Sequence, residues 1–250
     1  MGTYENQVQQ ELHSWQVELL KRPSLWDRSS KKIQNKVNGF IPAKVHDVVT
    51  KSIKSMVHAT LLGSEYTSKK NERLSLSLRD SDKRADVLIT TYKRTAALEG
   101  IGTGAGGLLL SLADFPLLLS IKMKFLFAIA AAYGMDVRDY RERLFILYIF
   151  QFAYGSPFRR EELYQRINDY HQSKESMPSK EDYLTGIDWQ ALQQDYRDHI
   201  DLAKLLQLIP GFGAIVGGVV NYRFIESLGK LAKNCYRLRF IQELQNRISE

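Results

Sequence analysis

Cysteine is almost missing from this chain. Of its 250 residues only Cys235 is a cysteine, so no internal disulfide can staple the fold and nothing in the composition calls for an oxidising compartment. Proline is scarce too, at six, and the sixteen glycines form no Pro/Gly/Ser tract, which excludes a collagen-like chain or a flexible linker between modules. There is no fixed-period repeat of the solenoid kind. The opening MGTYENQVQQELHSW lacks the cationic-then-apolar order of a secretory leader, and Gln7 stands where a myristoylation signal needs Ser or Thr. We therefore expect an intracellular chain. No run of alternating β-branched residues asks for a sheet, so the expected class is all-α.

What the chain does have is helical spacing. Val8, Leu12, Trp15 and Leu19 share one stripe; Val45, Val49, Ile53, Met56 and Thr60 repeat the pattern after Pro42, which suits a first helical turn. Lys44, Lys51 and Lys54 fall away from that second stripe and make a basic outer face. A third helix is expected from about Asp82, capped by Ser81, to Glu99, ending at Gly100. IKMKFLFAIAAAYG closes at Gly134, Asp136 is the expected cap of the next apolar helix to Gly155, and Ser156-Pro157 with Glu161 and Glu162 starts another. His171 to Lys180 reads as a loop, with Ser179 and Asp182 as a new cap. Further helices are expected over IDWQALQQDYRDHIDLAKLLQL and from Pro210 to about Asn246.

Charge is unevenly placed. Residues 1–100 hold 17 Lys/Arg against 11 Asp/Glu, residues 161–201 hold 4 against 10, and residues 223–247 hold 6 against 2. Two basic regions bracket an acidic one, which suits an anionic surface touched by one side of the molecule.

The stretch GIGTGAGGLLLSLADFPLLLS fits G-x-G-x-x-G at Gly102, Gly104 and Gly107. A dinucleotide loop needs a strand before it and an acid about twenty residues on. The preceding TTYKRTAALE reads as helix, and the later positions are Lys122 and Lys124. A Walker loop needs Gly-Lys, whereas Leu108 follows Gly107. Close helix packing is the alternative: Gly102 and Gly106 are spaced G-x-x-x-G, as are Gly213 and Gly217. Glycine costs about 1 kcal/mol per helical position against alanine, so these glycines imply close backbone approach between the two segments. The expected architecture is one domain, residues 1–250: a multi-helix bundle around this glycine-rich apolar hairpin.

Leu205 to Tyr222 is an 18-residue run without charge, long enough to raise the question of a membrane span, although Gln207, Pro210, four glycines and Asn221 dilute it. Cations follow each apolar segment: Lys122 and Lys124 after the first, Arg223 after the second, placed where they can snorkel to anionic headgroups. Catalytic signatures are thin. The five histidines form neither H-E-x-x-H nor a Cys-assisted zinc set, no G-x-S-x-G is present, and Asp195 with His199 reads as a surface pair. Cys235 reads as a plain buried thiol. Asp114, before Phe115-Pro116, reads first as a helix cap and second as a buried carboxylate in an apolar pocket. We expect no catalytic residue, metal or cofactor.

The residues ADFPLLLSIKMKFLFAIAAAYG (Asp114, Pro116, Tyr133, Gly134) and IPGFGAIVGGVVNYRF (Pro210, Gly213, Gly217, Asn221, Arg223) together resemble the EcsC family. The resemblance runs from about Pro42 to Arg239 and is weakest over the acidic 157–201, read as a variable helical segment. The founding member of that family is encoded beside the two subunits of an ABC transporter. The resemblance implies a bacterial, cytoplasmic, helical protein peripheral to the inner face of the cell membrane, and it hands over no catalytic residue. The expected function is a non-enzymatic accessory or regulatory protein meeting an anionic membrane surface or ABC transporter subunits through Lys44, Lys51, Lys54, Lys122, Lys124 and Arg223. A hydrolase of lipid or peptide built on Asp114 is the alternative. Nucleic-acid binding through the basic first third, which lacks a known motif, ranks last.

Overall fold

The computed structural model describes residues 2–21, 43–62, 77–104, 115–155, 159–170, 177–189, 192 and 213–249, apart from the side chains of 43–46, 100–104, 213–217 and 220. Eight helices run through them: α1 Thr3–Leu19, α2 Ala43–Leu62, α3 Leu78–Gly104, α4 Phe115–Ala132, α5 Tyr140–Tyr154, α6 Arg160–Asn168, α7 Lys180–Gly186 and α8 Gly213–Ser249. No strand occurs among the described residues, so the chain is all-α.

Helix ends follow local chemistry, in three places differently from expectation. Ser77, not Ser81, caps α3: its hydroxyl accepts from the Asp80 amide at 3.2 Å and donates to the Asp80 carboxylate at 2.6 Å. Leu78 is wholly buried, so the extra turn adds core contacts, and Ser81 ends up inside the helix. Nor does α3 stop at Gly100; it continues to Gly104. Asp139, not Asp136, caps α5 by accepting from the Arg141 amide at 2.9 Å, while Asp136 binds the Arg138 amide and guanidinium in the preceding turn. Two expected boundaries hold. Gly134 takes φ 74°, and Gly134 and Met135 donate back to Ala131 and Ala130, the glycine-stop motif that ends α4. Ser179 caps α7, accepting from the Asp182 amide at 3.1 Å.

The central seam is α3 against α8. Asp82 meets Arg237, Asp86 meets Lys233, Ile89 meets Gly229 and Lys93 meets Glu226, so the helices are antiparallel in one constant register. Helix α4 also runs against α3, since Phe125 packs on Tyr92 while Tyr133 reaches Asp82. Helix α5 runs against α8, with Phe145 on Tyr236 and Glu142 bonded to both Tyr236 and Arg239. A Cβ at Gly229 would lie 2.6 Å from Ile89 Cγ1 and 2.7 Å from Phe125 Cζ, so glycine there lets three helices meet. Val8 and Leu12 of α1, and Val49, Ile53 and Met56 of α2, join the same core.

These registers give the bundle two distinct ends. At one, the chain turns from α4 into α5 at Gly134. At the other lie the last turn of α3 and the first turns of α4 and α8. Continued at the same step, the α3–α8 register sets position 102 level with 217. Gly102, Gly213 and Gly217 are helical; Gly106, Asp114 and Pro210 lie outside the described residues, as do Pro42, Ser156-Pro157, the expected loop from His171 through Ser176 and most of the helix expected after Ile187.

Candidate functional site

At the Gly134 end, two carboxylates that belong on apolar stripes are buried against arginine. Asp82, 2% exposed, lies on the α3 stripe that carries Ala85, Ile89 and Ala96. It accepts from Tyr4 at 2.6 Å, from Tyr133, and from both Nε and Nη2 of Arg237 at 2.9 and 2.8 Å. Arg237 extends to Glu11 of α1 at 2.9 Å. Glu142, equally buried, lies on the α5 stripe of Phe145, Ile149 and Phe152 and accepts from Tyr236 at 2.8 Å and Arg239 at 2.6 Å. The Arg239 guanidinium lies over the Tyr170 and Phe145 rings, 4.7 and 5.3 Å from their centroids. Tyr133 and Tyr236 stack at 5.4 Å and so join the two networks.

The electrostatics of this cluster hold protons in place. Burial, then the hydrogen bond and charge of Asp82, push the Tyr4 phenol up to about 12. Burial first and Asp82 second raise Tyr133, and burial first and Glu142 second raise Tyr236, each far above the ordinary phenol range. For Arg237 and Arg239 burial pulls downward, but the hydrogen bonds and charges of Asp82 and Glu142 outweigh it and keep both guanidinium groups charged. Asp82 and Glu142 each accept from an arginine and from tyrosine, so the cluster ties helices together through charge-assisted hydrogen bonds.

The opposite end has a different chemistry. Leu98 (72% exposed), Leu117 (54%) and Val219 (48%) stand on the outer faces of α3, α4 and α8, and the registers place all three at one level. Pro116 is exposed beside Leu117. One helical turn further into the bundle come Arg94 on α3 and Arg223 on α8, and two turns in comes Lys124 on α4, all exposed and none ion-paired to a described residue. At 1.5 Å per residue these cations sit about 6 to 10 Å further into the bundle than Leu98, Leu117 and Val219, while α3 runs on to Gly104 and α8 begins at Gly213, beyond that level. Glu226, the nearby acid on α8, is taken up by Lys93 and Lys230.

Of the residues expected to touch a surface, Lys124 and Arg223 are therefore exposed at this end. Lys51 and Lys54 are exposed on α2, where Lys54 lies 5.6 Å over the Trp189 ring; the Lys44 side chain is outside the described residues. Lys122 requires correction. It is 1% exposed, between the rings of Tyr154 and Phe224 at 4.9 and 5.3 Å, because position 122 faces α5 and α8 while 124 faces out. Tyr133 is a hydrogen-bonding member of the buried cluster, and Asn221 is buried on α8. Helix α3 runs through Gly102 and Gly104, so no strand delivers those amides to a phosphate. Cys235 is fully buried, and burial pushes its thiol up. Asp195 with His199 lies outside the described residues. The reading of the sequence missed Asp82, Glu142, Arg237 and Arg239, although a charged residue at helical spacing on an apolar stripe is the signal that finds them.

Among the described residues one helix, α4, is long and apolar enough to cross a membrane, with mean hydropathy 1.8. More than half of it is buried against its neighbours, as befits a core helix.

The chain matches the sequence profile of the EcsC protein family over residues 6–241. It is 45% identical over 236 residues to Protein EcsC of Bacillus subtilis (strain 168), covering 94% of this chain and 96% of that protein. It is 27% identical over 162 residues to the uncharacterized protein YdbA of the same organism, covering 65% of this chain and 58% of that one. No solved structure matches. The similarity thus begins inside α1, well before Pro42, and continues through the acidic segment.

Proposed function

The chain belongs to the EcsC protein family, and from that premise we propose that it is a peripheral accessory protein that docks on the anionic cytoplasmic face of the cell membrane by the end bearing Leu98, Leu117 and Val219. The observation that carries this reading is that exposed Leu98, Leu117 and Val219 share one level near the helix ends and a cationic collar lies behind them. An amphipathic element resting in the interface buries its apolar face about 5 to 10 Å deep. With Leu98, Leu117 and Val219 immersed, Arg94, Arg223 and Lys124, about 6 to 10 Å further from the helix ends, would lie toward the lipid phosphates. An accessory role fits the other end, where the buried titratable groups are bound to each other.

Flotation with phosphatidylglycerol-containing vesicles tests this. The protein should float with anionic vesicles at low salt, stay behind with purely zwitterionic ones, and lose binding at high salt. Protein that ignores anionic vesicles overturns the lipid reading. Capture by membranes that contain an ABC transporter, without capture by lipid alone, would assign the same end to the protein partner implied by the family resemblance.

A further inference from the structure

A groove of about 470 Å³ opens between α1, α5 and α8, behind the apolar end. Its walls are Trp15 and Leu19 of α1, Phe152 of α5, and Phe224, Leu228 and Leu231 of α8. The volume lies in the range of small-ligand sites, and the apolar and aromatic walls are joined by the polar Glu18, Arg160 and Ser227. Trp15 is held by edge-on contacts to Phe152 and Tyr164 at 6.5 and 6.2 Å, so the wall is set in place before anything binds.

The polar groups give the groove a direction. Gln16 bonds Tyr164 and Gln242 bonds Asn168, so α6 runs away from the apolar end and its first residue, Arg160, stands at the groove's mouth on the apolar side. Arg160 has no ion-pair partner among the described residues, whereas its neighbours Arg159 and Arg166 share Glu162. Helix α6 also starts without a side-chain cap. An uncommitted guanidinium beside such a start favours an anion there. Glu18, on the α1 wall, repels an anionic head group and leaves Arg160 as the place for it.

We propose that this groove binds a single-chain anionic amphiphile, a long-chain fatty carboxylate, with its head group on Arg160 and its alkyl chain along Trp15, Leu228 and Leu231. The proposal deepens the membrane reading by giving that end a lipid-derived ligand, yet the binding occurs in solution, without a bilayer.

Tryptophan quenching by a brominated long-chain fatty acid, below its micelle concentration, tests it. Saturable quenching is expected, and Trp15→Phe should remove most of it. Arg160→Gln should weaken binding about tenfold, the loss of one charge-assisted hydrogen bond, and should leave binding of the neutral methyl ester unchanged. Ser227→Phe, a substitution on the exposed rim, should block both ligands with the melting temperature kept. Equal quenching in Trp15→Phe, or equal affinity for acid and ester, overturns the proposal. Vesicle flotation is a separate readout, so failure of the groove and failure of the docking end are told apart.

Discussion

The two ends of the bundle solve opposite problems. Around Gly134, charge is taken inside: Asp82 and Glu142 are sunk on apolar stripes and matched by Arg237, Arg239, Tyr4, Tyr133 and Tyr236. Around Leu98, Leu117 and Val219, apolar side chains are left outside and charge stands behind them. The first arrangement ties α1, α3, α4, α5 and α8 into one register. The second contributes nothing to register, and a surface free of internal duties is one that a partner can use.

That contrast breaks most visibly at Glu142. Removing one member of a buried pair strands the other, at a cost of about 3–5 kcal/mol. Glu142→Leu should lower stability by that amount in chemical denaturation, because Glu243, at 3.4 Å, is then the one ion partner left to Arg239 among the described residues. Adding Arg239→Met should recover most of the loss. A smaller effect is expected at the seam. Gly229→Val must push Ile89 and Phe125 apart, which overpacking data put at about 1–3 kcal/mol, against roughly 1 kcal/mol or less returned by leaving glycine. Net destabilisation should appear in the same measurement.

The stripes of α1 and α2, the stop at Gly134 and the cap at Ser179 were legible because each is written within one or two turns. The register of α3 on α8 was not, since it depends on residues some 150 positions apart. A stripe tells which face is buried but not what faces it. For that reason Lys122 reads as a surface cation among Ile121, Met123 and Lys124, and Asp82 reads as a helix start. The spacing G-x-x-x-G pointed to close packing at 102, 106, 213 and 217; the close approach the structure describes is at Gly229, further along α8 and turned to another face from Gly213. The basic outer face of α2 was legible as charge, while the collar of Arg94, Lys124 and Arg223 emerges only when three helices are set side by side.

Alkaline titration sharpens the comparison from the polar end. Tyr4, Tyr133 and Tyr236 have phenols raised in the folded state, chiefly by burial. Their contribution to stability is complete below the ordinary tyrosine range near 10 and is lost as pH climbs above it, because the unfolded chain gives up those protons first. Absorbance at 295 nm should show Tyr4 ionising near 12, and Tyr133 and Tyr236 only as helical circular dichroism disappears. The smallest change in stability belongs to the apolar end, where Leu98→Ser, Leu117→Ser and Val219→Ser should each stay within about 0.5 kcal/mol of the parent.

The most direct test joins that stability result to binding. The triple variant Leu98→Ser, Leu117→Ser, Val219→Ser, and separately Arg94→Gln, Lys124→Gln, Arg223→Gln, would be floated with anionic vesicles beside the parent after thermal melts. The account predicts near-parental melting for both and loss of most vesicle binding in each. Folded variants that float as the parent does would contradict it, and would move the working surface of the protein to another face.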